Sequence, residues 1–518
     1  MNINEAFQLA TKHYQTENYL QAEHLCKKIL KELPDDAETL YFLGIIYVQL
    51  EKHDLAIQYL NRSLQFSKPN ADVYLALGTA FQQKGLYEEA VGYYQKSINL
   101  DPTNADTFKL LGDVLQEKGQ FDEAISCYQK ALQIKPPSSG IYNNLGTAFH
   151  KKGQFDEAII YYNKALQLNS TFTLAYCNIA KALHQKGEIN NAITYFQKTL
   201  QLDPYLADAH WNMSLALLTL GNFKQGWKEY EWRVKLTDYY QRSFPKPLWN
   251  GFDIKGRTIL LHTEQGFGDN IMFIRYAPLV AQRGAKVIVE CHKELKSLFQ
   301  NVEGVTQVIA RGEQIPDFDI HCPLLSMPLV FDTILETIPA NTPYIHKDSV
   351  LVQKWQDKVQ RERSKLKIGL VWASGTGDLS QLKSFPLDTF SSLAKLDSIT
   401  FYSLQKGSAS DQAKNPPEGM NLIDYTEEIN DFSDTAALIE NLDLVISVDT
   451  AVAHLAGALG KLIWTLLPFE PIWQWMLHRE DSPWYPTMRF FRQPSPGDWD
   501  SVMAKVLNEL QKKLIECN

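Results

Sequence analysis

The sequence predicts two architectures in one chain, an α-helical repeat array followed by two α/β units. Three observations support this prediction. Small residues recur every 34 positions through the first 235 residues. Short β-rich runs alternate with helical segments after residue 255. A strand, a tight turn and a helix are indicated between residues 261 and 280, where the repetition stops. The 518 residues suffice for three domains, and 45% hydrophobic content is ordinary for a folded protein.

Composition argues against several classes of protein. The formal net charge of −9 predicts no general attraction to nucleic acid or anionic lipid. The amino terminus lacks the apolar core of a signal peptide, and the most apolar run, residues 442–469, is interrupted by charges. The cysteines lack metal-ligand spacing, so we expect a reducing compartment and neither a metal site nor a disulfide framework. They are Cys26, Cys127, Cys177, Cys291, Cys322 and Cys517. We therefore expect a cytoplasmic protein without a membrane span.

Two series of small residues define the repeat. The first series is Ala10, Gly44, Gly78, Gly112, Gly146, Ala180 and Ser214. The second series is Ala22, Ala56, Ala90, Ala124, Ala158, Ala192 and Gly226. A unit of this length and pattern resembles the tetratricopeptide repeat, whose two helices cross at small residues. The resemblance implies seven repeats over residues 1–238, forming an α-solenoid whose concave surface binds a protein segment.

Three asparagines follow the same period in the last three repeats. Asn144, Asn178 and Asn212 each stand two residues before the small residue of their repeat. Because an amide side chain both donates and accepts, a row of amides can hold an extended peptide backbone. The row resembles the asparagine ladder of the repeat-fused O-GlcNAc transferases, so we expect a protein or peptide acceptor there. The alternative is that these asparagines are solvated helix residues.

Aromatic residues crowd the segment that follows the repeats. We assign residues 239–256 to an aromatic junction, because a terminal repeat must cover its apolar face and large rings do so effectively. A rigid junction is therefore expected instead of a flexible linker. The rings are Trp227, Tyr230, Trp232, Tyr239, Tyr240, Phe244, Trp249 and Phe252.

Two sets of predicted strands come after the junction. The first set, within residues 257–350, comprises RTILLHT, KVIVECH, VTQVIA and FDIHCPLL. The second set, within residues 365–510, comprises LKIGLVW, ITFYSLQ, NLIDY, LDLVISV and LIWTLL. Helical segments between the strands predict two parallel, Rossmann-like sheets. Ligands of such sheets bind at the carboxyl ends of the strands, and a cleft between two domains is a usual ligand site.

The turn after the first strand carries the leading candidate for a catalytic group. Gly266 and Gly268 permit a close approach of the backbone to a ligand, so we expect them on the floor of the cleft. Asp269 starts the next helix, where the helix dipole favours its ionised form. A carboxylate in that place can take a proton from a hydroxyl nucleophile. The alternative is that Asp269 only caps the helix.

Features that suit an anion follow strands of the second set. Free amides at the start of a helix bind anions, and two lysines at strand ends suit a diphosphate. The candidate donor-binding residues are Lys383, Lys406, Asp449, Thr450, Ala451 and His454. The alternatives are a capping role for the aspartate, a core position for the histidine and solvated positions for the lysines. Trp372, Trp473 and Trp475 can stack on a base or sugar, although core packing explains them equally well.

Taken together, these segments resemble the repeat-fused, heptosyltransferase-type glycosyltransferases of family nine, over roughly residues 245–510. The segments are EQGFGD (264–269), GLVWA (369–373), FYSLQKG (401–407), DTAVAHLAGALGK (449–461) and EDSPWYPTMRFFRQ (480–493). The resemblance implies a glycosyltransferase B fold that binds a nucleotide diphosphate sugar and needs no metal or other cofactor. It also implies that Asp269 acts as the base, and that Lys383 and the segment from Asp449 to His454 bind the donor.

The leading hypothesis is inverting transfer of a sugar to an acceptor hydroxyl on a protein held by the repeats. The loop after Trp372, ASGTGDLSQLKSFP, departs from the family pattern. A non-catalytic repeat scaffold with a degenerate transferase fold is therefore one alternative. The other is a saccharide or lipid glycosyltransferase that uses its repeats only for recruitment. The sequence identifies neither the sugar, the nucleotide, the acceptor nor the oligomeric state.

Overall fold

The computed structural model describes residues 2–236, 243–360, 364–375, 380–396 and 398–516. The chain divides into two compact units. The first comprises residues up to 186 together with 194–204, and the second comprises 187–193 and all residues from 205 onward. The seventh repeat thus belongs to the second unit, whereas the sequence grouped all seven repeats within residues 1–238. The physical reason is that aromatic side chains of this repeat pack against α/β residues.

The predicted repeats are confirmed as successive pairs of helices. The helices are α1 Ile3–Gln15, α2 Tyr19–Glu32, α3 Ala37–Gln49, α4 His53–Phe66, α5 Ala71–Gln83, α6 Tyr87–Leu100, α7 Ala105–Glu117, α8 Phe121–Ile134, α9 Ser139–Lys151, α10 Phe155–Leu168, α11 Thr173–Gln185, α12 Ile189–Leu202, α13 Ala207–Thr219 and α14 Phe223–Tyr230. Small residues are required where the helices of a pair cross. A Cβ on Gly78 would lie 2.6 Å from the ring of Tyr94, which is fully buried.

The first α/β half contains a four-stranded parallel sheet with the strand order β3-β2-β1-β4. Its strands are β1 Thr258–His262, β2 Lys286–Cys291, β3 Val305–Ala310 and β4 Ile320–Pro323. Its helices are α15 Phe267–Phe273, α16 Ala277–Gln282, α17 Lys296–Phe299 and α18 Met327–Val330. Each strand coincides with a predicted β-rich run. The helix predicted after β1 is divided by a 3-10 turn, Ile274–Tyr276.

The second half contains a six-stranded parallel sheet with the order β10-β9-β8-β5-β6-β7. Its strands are β5 Leu366–Val371, β6 Ile399–Ser403, β7 Leu422–Asp424, β8 Leu444–Val448, β9 Ile463–Leu467 and β10 Met488–Arg492. The helices from the connection onward are α19 Ser349–Val359, α20 Ser380–Lys383, α21 Phe432–Glu440, α22 Ala451–Ala458 and α23 Trp499–Glu516. The first five strands coincide with predicted runs, whereas β10 was not predicted as a strand.

The direction of strand addition reverses once in each sheet. In the first sheet β1 lies between β2 and β4, and in the second sheet β5 lies between β6 and β8. Such a reversal opens a crevice at the carboxyl ends of the strands, which is where open α/β sheets bind ligands. Asp269 lies in the first turn of α15, the helix that follows β1, and Asp449 directly follows β8. Both candidate carboxylates therefore lie at a reversal point.

The described part of the aromatic junction packs tightly onto the first sheet. Trp249 is buried, its indole nitrogen donates to the carbonyl oxygen of Phe252 at 2.9 Å, and its backbone amide donates to His321 on β4 at 2.8 Å. Residues 239–242 of the predicted junction, with Tyr239 and Tyr240, lie outside the described residues. Within the described part of the chain, no helix has both the length and the apolar character needed to span a bilayer.

Candidate functional site

Asn270 shapes the turn that carries Asp269. The backbone amide of Glu264 donates to Asn270 Oδ1 at 3.2 Å, and Asn270 Nδ2 donates to the carbonyl oxygen of Gly266 at 2.7 Å. The Asn270 side chain is fully buried, so these two bonds fold the loop back onto the start of α15. No role for Asn270 was predicted from the sequence. An amide in the first turn of a helix after a glycine-rich loop is the signal that could have identified it.

Asp269 lies in the first turn of α15 beside a glutamine from the second half. Gln474 Nε2 donates to Asp269 Oδ1 at 3.2 Å. Burial and the negative charge of Asp449 raise the pKa of the Asp269 carboxyl to about 6, against the opposing effects of Lys383 and Gln474. A carboxylate with this pKa is ionised at pH 7 and is a stronger base than an exposed aspartate.

Asp449 is the centre of a buried cluster at the carboxyl end of β8. Lys383 Nζ lies 2.5 Å from its Oδ2, and the indole nitrogen of Trp475 donates to its Oδ1 at 2.9 Å. Burial alone would raise the pKa of Asp449, but the charge of Lys383, the interaction with His454 and these hydrogen bonds lower it overall. Asp449 is therefore ionised at neutral pH and holds the lysine ammonium in the site.

His454 is a buried, neutral member of the same cluster. Its Nδ1 lies 2.9 Å from the hydroxyl oxygen of Tyr485, and its Nε2 lies 3.9 Å from Asp449 Oδ1. Its ring stacks on Trp475 with a centroid separation of 4.8 Å. Burial lowers the pKa of His454 to about 4, so the imidazole is uncharged at pH 7. In this structure His454 packs and orients its neighbours.

The start of α22 offers backbone donors. Thr450 is the N-cap residue without a side-chain cap, and its hydroxyl is engaged with Ser447 at 2.9 Å. Within the part of the chain that the structure describes, the backbone amides of Thr450, Ala451 and Val452 donate to no protein acceptor. Free amides at a helix start, together with a nearby ammonium, can stabilise the charge of a phosphate.

Gly268 brings α15 and α22 into contact. A Cβ at this position would lie 2.8 Å from His454 Cδ2 and 3.6 Å from Ala451 Cα, whereas a Cβ on Gly266 would meet only Asp269 Oδ2, at 3.5 Å. The missing side chain of Gly268 thus permits the close approach of the two helices. Both glycines stand at the edge of the cluster, and their predicted role as the floor of a ligand cleft stays a prediction.

We expect Gly268→Ala to lower the free energy of unfolding of the second unit by about 1–3 kcal/mol, because the ring of His454 is held by Tyr485 and Trp475 and cannot yield. Gly266→Ala is the matched control, since its Cβ would make ordinary contacts. Urea unfolding followed by tryptophan fluorescence measures both variants. Equal stability of the two variants would contradict the packing role of Gly268.

Lys406 is bound elsewhere. Its ammonium donates to the carbonyl oxygens of Thr426 and Ile429 at 2.7 and 3.1 Å. Of the two candidate lysines, Lys383 therefore forms a hydrogen bond with Asp449, whereas Lys406 does not. Residues 376–379 of the divergent loop lie outside the described residues. Among the described residues, no cluster of three histidine, cysteine or acidic side chains could hold a metal ion.

The predicted asparagine row makes hydrogen bonds within the protein. Asn144 Nδ2 donates to Asp113 Oδ1 at 2.8 Å, and Asn178 Nδ2 donates to Asn143 Oδ1 at 3.0 Å. In the seventh repeat, Asn212 Nδ2 donates to the backbone of Asp208 at 2.8 Å. These bonds connect neighbouring repeats or stay within one helix, and each engages the amide nitrogen.

Comparison with known proteins establishes the repeats. Family models described as TPR repeat or tetratricopeptide repeat match residues 7–71, 80–119, 112–153, 140–172 and 173–206. Protein FlbA of Caulobacter vibrioides is 27% identical over 324 residues, which cover 57% of this chain and 53% of FlbA. The chain thus spans about half the length of this curated relative. Because residues 1–236 are less than half of the 518-residue chain, the aligned stretch includes α/β residues.

Solved structures also show similarity to part of this chain. The crystal structure of MamA is 32% identical, covers 31% of this chain and 94% of its own, and has a TM-score of 0.30. YrrB, described as a TPR protein with an unusual peptide-binding site, is 23% identical, covers 34% of this chain and 92% of its own, and has a TM-score of 0.29. The chain contains tetratricopeptide repeats, and repeats of this kind imply a protein or peptide partner.

Proposed function

We propose that this repeat-bearing chain is a glycosyltransferase that moves a sugar from a nucleotide diphosphate sugar to an acceptor hydroxyl. One observation carries the proposal. Asp269, a carboxylate with a pKa of about 6, follows Gly268, which packs against the start of α22, where free amides and Lys383 suit a diphosphate. A base and an anion site therefore adjoin each other at the reversal points of two parallel sheets, which is the usual place for a ligand.

The transfer would proceed as a single displacement. The acceptor hydroxyl gives its proton to Asp269 while its oxygen bonds to the anomeric carbon of the sugar. The bond from that carbon to the diphosphate oxygen breaks on the opposite face, so the configuration inverts. The departing diphosphate gains negative charge, which the amides of Thr450 and Ala451 and the ammonium of Lys383 stabilise. Lysine has three N–H donors, and Asp449 engages one of them.

The acceptor hydroxyl would belong to a protein or peptide. The repeats imply such a partner, and the asparagine row of the fifth and sixth repeats leaves amide oxygens of Asn144 and Asn178 to accept from a peptide backbone. A peptide held through its backbone is presented without selection for one side-chain sequence. We therefore propose protein O-glycosylation ahead of saccharide or lipid synthesis.

Binding of nucleotides tests the donor site before any acceptor is known. We expect one member of a panel of UDP, GDP, ADP, CMP and dTDP species to stabilise the protein. At about 100 times its dissociation constant, a ligand adds roughly 2.7 kcal/mol, which a thermal shift assay detects. Lys383→Met should lose this shift, whereas Lys414→Met, which alters an exposed lysine paired with Asp411, should keep it. No shift with any nucleotide would favour the non-catalytic scaffold.

Intact-mass analysis then identifies the acceptor class. Candidate partner proteins are co-expressed with the chain, and a discrete gain of mass by one partner supports protein glycosylation. The Asp269→Asn variant is the control and should produce no gain of mass. Turnover of the donor only on a saccharide or lipid would support the recruitment alternative.

A further inference from the structure

A short turn, Trp473–Trp475, connects three parts of the second unit. Its first residue, Trp473, is buried against Trp227 of the seventh repeat, with ring centroids 5.4 Å apart, and against Phe273 of α15 at 6.2 Å. Its last residue, Trp475, is fully buried, donates to Asp449 and stacks on His454. The two flanking tryptophans leave Gln474 little freedom of position.

The chain leaves this turn in a strained conformation. Met476 has φ 53° and ψ −174°, a left-handed backbone conformation that carries a cost for any residue with a Cβ. Two contacts hold it. Arg492 Nη2 donates to the carbonyl oxygen of Met476 at 2.8 Å, and Gly221 of the seventh repeat lies so close that an added Cβ would meet Met476 Cε at 2.9 Å. Strain that is kept by surrounding contacts is common at functional sites.

The Gln474 amide is committed to Asp269. A carboxylate only accepts, so the amide nitrogen has to face it, and Nε2 donates to Asp269 Oδ1 at 3.2 Å. The amide oxygen of Gln474 is buried and has no hydrogen-bond partner in the described part of the chain. Leaving a buried carbonyl unpaired is unfavourable, so tertiary packing holds the amide in this orientation despite its cost.

We propose that Gln474 is the positioning residue of Asp269: it holds Oδ1 and leaves Oδ2 for the acceptor hydroxyl, while the seventh repeat braces its turn through Trp473. This inference rests on the proposed function of Asp269 as a base. It assigns the terminal repeat a role in the reaction, because the repeat side chain Trp227 supports the turn that orients the base.

The charged and titratable groups around Asp269 come from several elements. Asp449 faces it from the residue after β8, Lys383 from the end of α20 and Tyr230 from the end of α14, while His454 of α22 lies beside the neighbouring Gly268. Gln474 favours the ionised carboxylate, whereas burial and Asp449 favour the protonated form. Removing the Gln474 donor should therefore raise the pKa of Asp269.

The test follows the carboxyl group directly. Full-length protein labelled with carboxyl ¹³C-aspartate is titrated by NMR, and Asp269→Asn identifies the signal. We expect a wild-type midpoint near pH 6, a higher midpoint in Gln474→Leu, and the highest in Gln474→Glu, where two carboxyl groups share a proton. Gln300→Leu, at an exposed glutamine of the same unit, should titrate like the wild type.

Kinetics of the same variants test the role in the reaction. Gln474→Leu should lower kcat and move the acid limb of the pH profile upward, with KM for the nucleotide sugar unchanged. An Asp269 midpoint equal to the wild type in both Gln474 variants would overturn the inference, whether or not the chain transfers sugar. Failure of the wild type to take up any nucleotide sugar would instead overturn the proposed function, and the titration would still decide whether Gln474 orients the carboxyl group.

Discussion

Asp269→Asn is expected to lower the rate of sugar transfer by a factor of about 10²–10⁴, the usual contribution of a general base, with nucleotide binding unchanged. Asparagine has the shape of aspartate but cannot take the proton of the acceptor hydroxyl. The proposed anion site at Thr450 and Lys383 stays intact, so the nucleotide-induced thermal shift should persist. Asp411→Asn is the matched control, because Asp411 is exposed and pairs only with Lys414 among the described residues.

The pH dependence of transfer follows from the same carboxyl group. Below about pH 6 the Asp269 carboxyl is protonated in the folded protein, so the rate should fall about tenfold for each further pH unit. The sign for stability is opposite. An unfolded aspartate has a pKa of about 3.9, so between pH 6 and pH 4 the folded state binds this proton and the unfolded state does not. Protonation of Asp269 therefore increases the free energy of unfolding as the pH falls from 6 toward 4. A fully active Asp269→Asn variant would remove the residue from the mechanism.

Arg233→Leu is expected to destabilise the second unit by about 3–5 kcal/mol, because it leaves the buried carboxylate of Glu264 without a counter-charge. Arg233 is fully buried between two glutamates. Its Nε lies 2.8 Å from Glu264 Oε2, its Nη1 lies 2.6 Å from Glu231 Oε1, and its Nη2 donates to Ser326 at 2.8 Å. Glu264 starts the EQGFGD turn, so this cluster ties the end of the seventh repeat to the loop that carries Asp269.

Urea unfolding with separate probes for the two units measures this effect. The control is Arg62→Leu, which breaks an exposed pair with Asp35 and should change stability by about 0.5 kcal/mol or less. The double variant Arg233→Leu, Glu264→Leu should recover part of the loss, because it removes the unpaired charge together with its partner. A loss in Arg233→Leu no larger than in Arg62→Leu would contradict a structural role for the buried cluster.

Local sequence patterns predict the repeats, the parallel strands and the segments after β1 and β8 in which Asp269 and Asp449 lie. Each of these depends on local pattern. Small residues at a period of 34 mark the crossings of paired helices, as the contact of Gly78 with Tyr94 illustrates. β-rich runs that alternate with helical segments predict parallel sheets, and the residue that follows a strand then falls at the ligand-binding edge of the sheet.

Which side chains meet at that edge depends on contacts between segments that are distant in the chain. Gln474 stands 205 positions from Asp269 in the chain, and no local periodicity relates the two residues. Packing also gives the two candidate lysines different partners, since Lys383 pairs with Asp449 and Lys406 donates to backbone carbonyl oxygens of a loop. The local sequence pattern indicates which face of each segment is apolar and buried. Contacts between distant segments depend instead on how those faces fit together. This fit is the reason that the seventh repeat belongs to the same unit as the α/β residues.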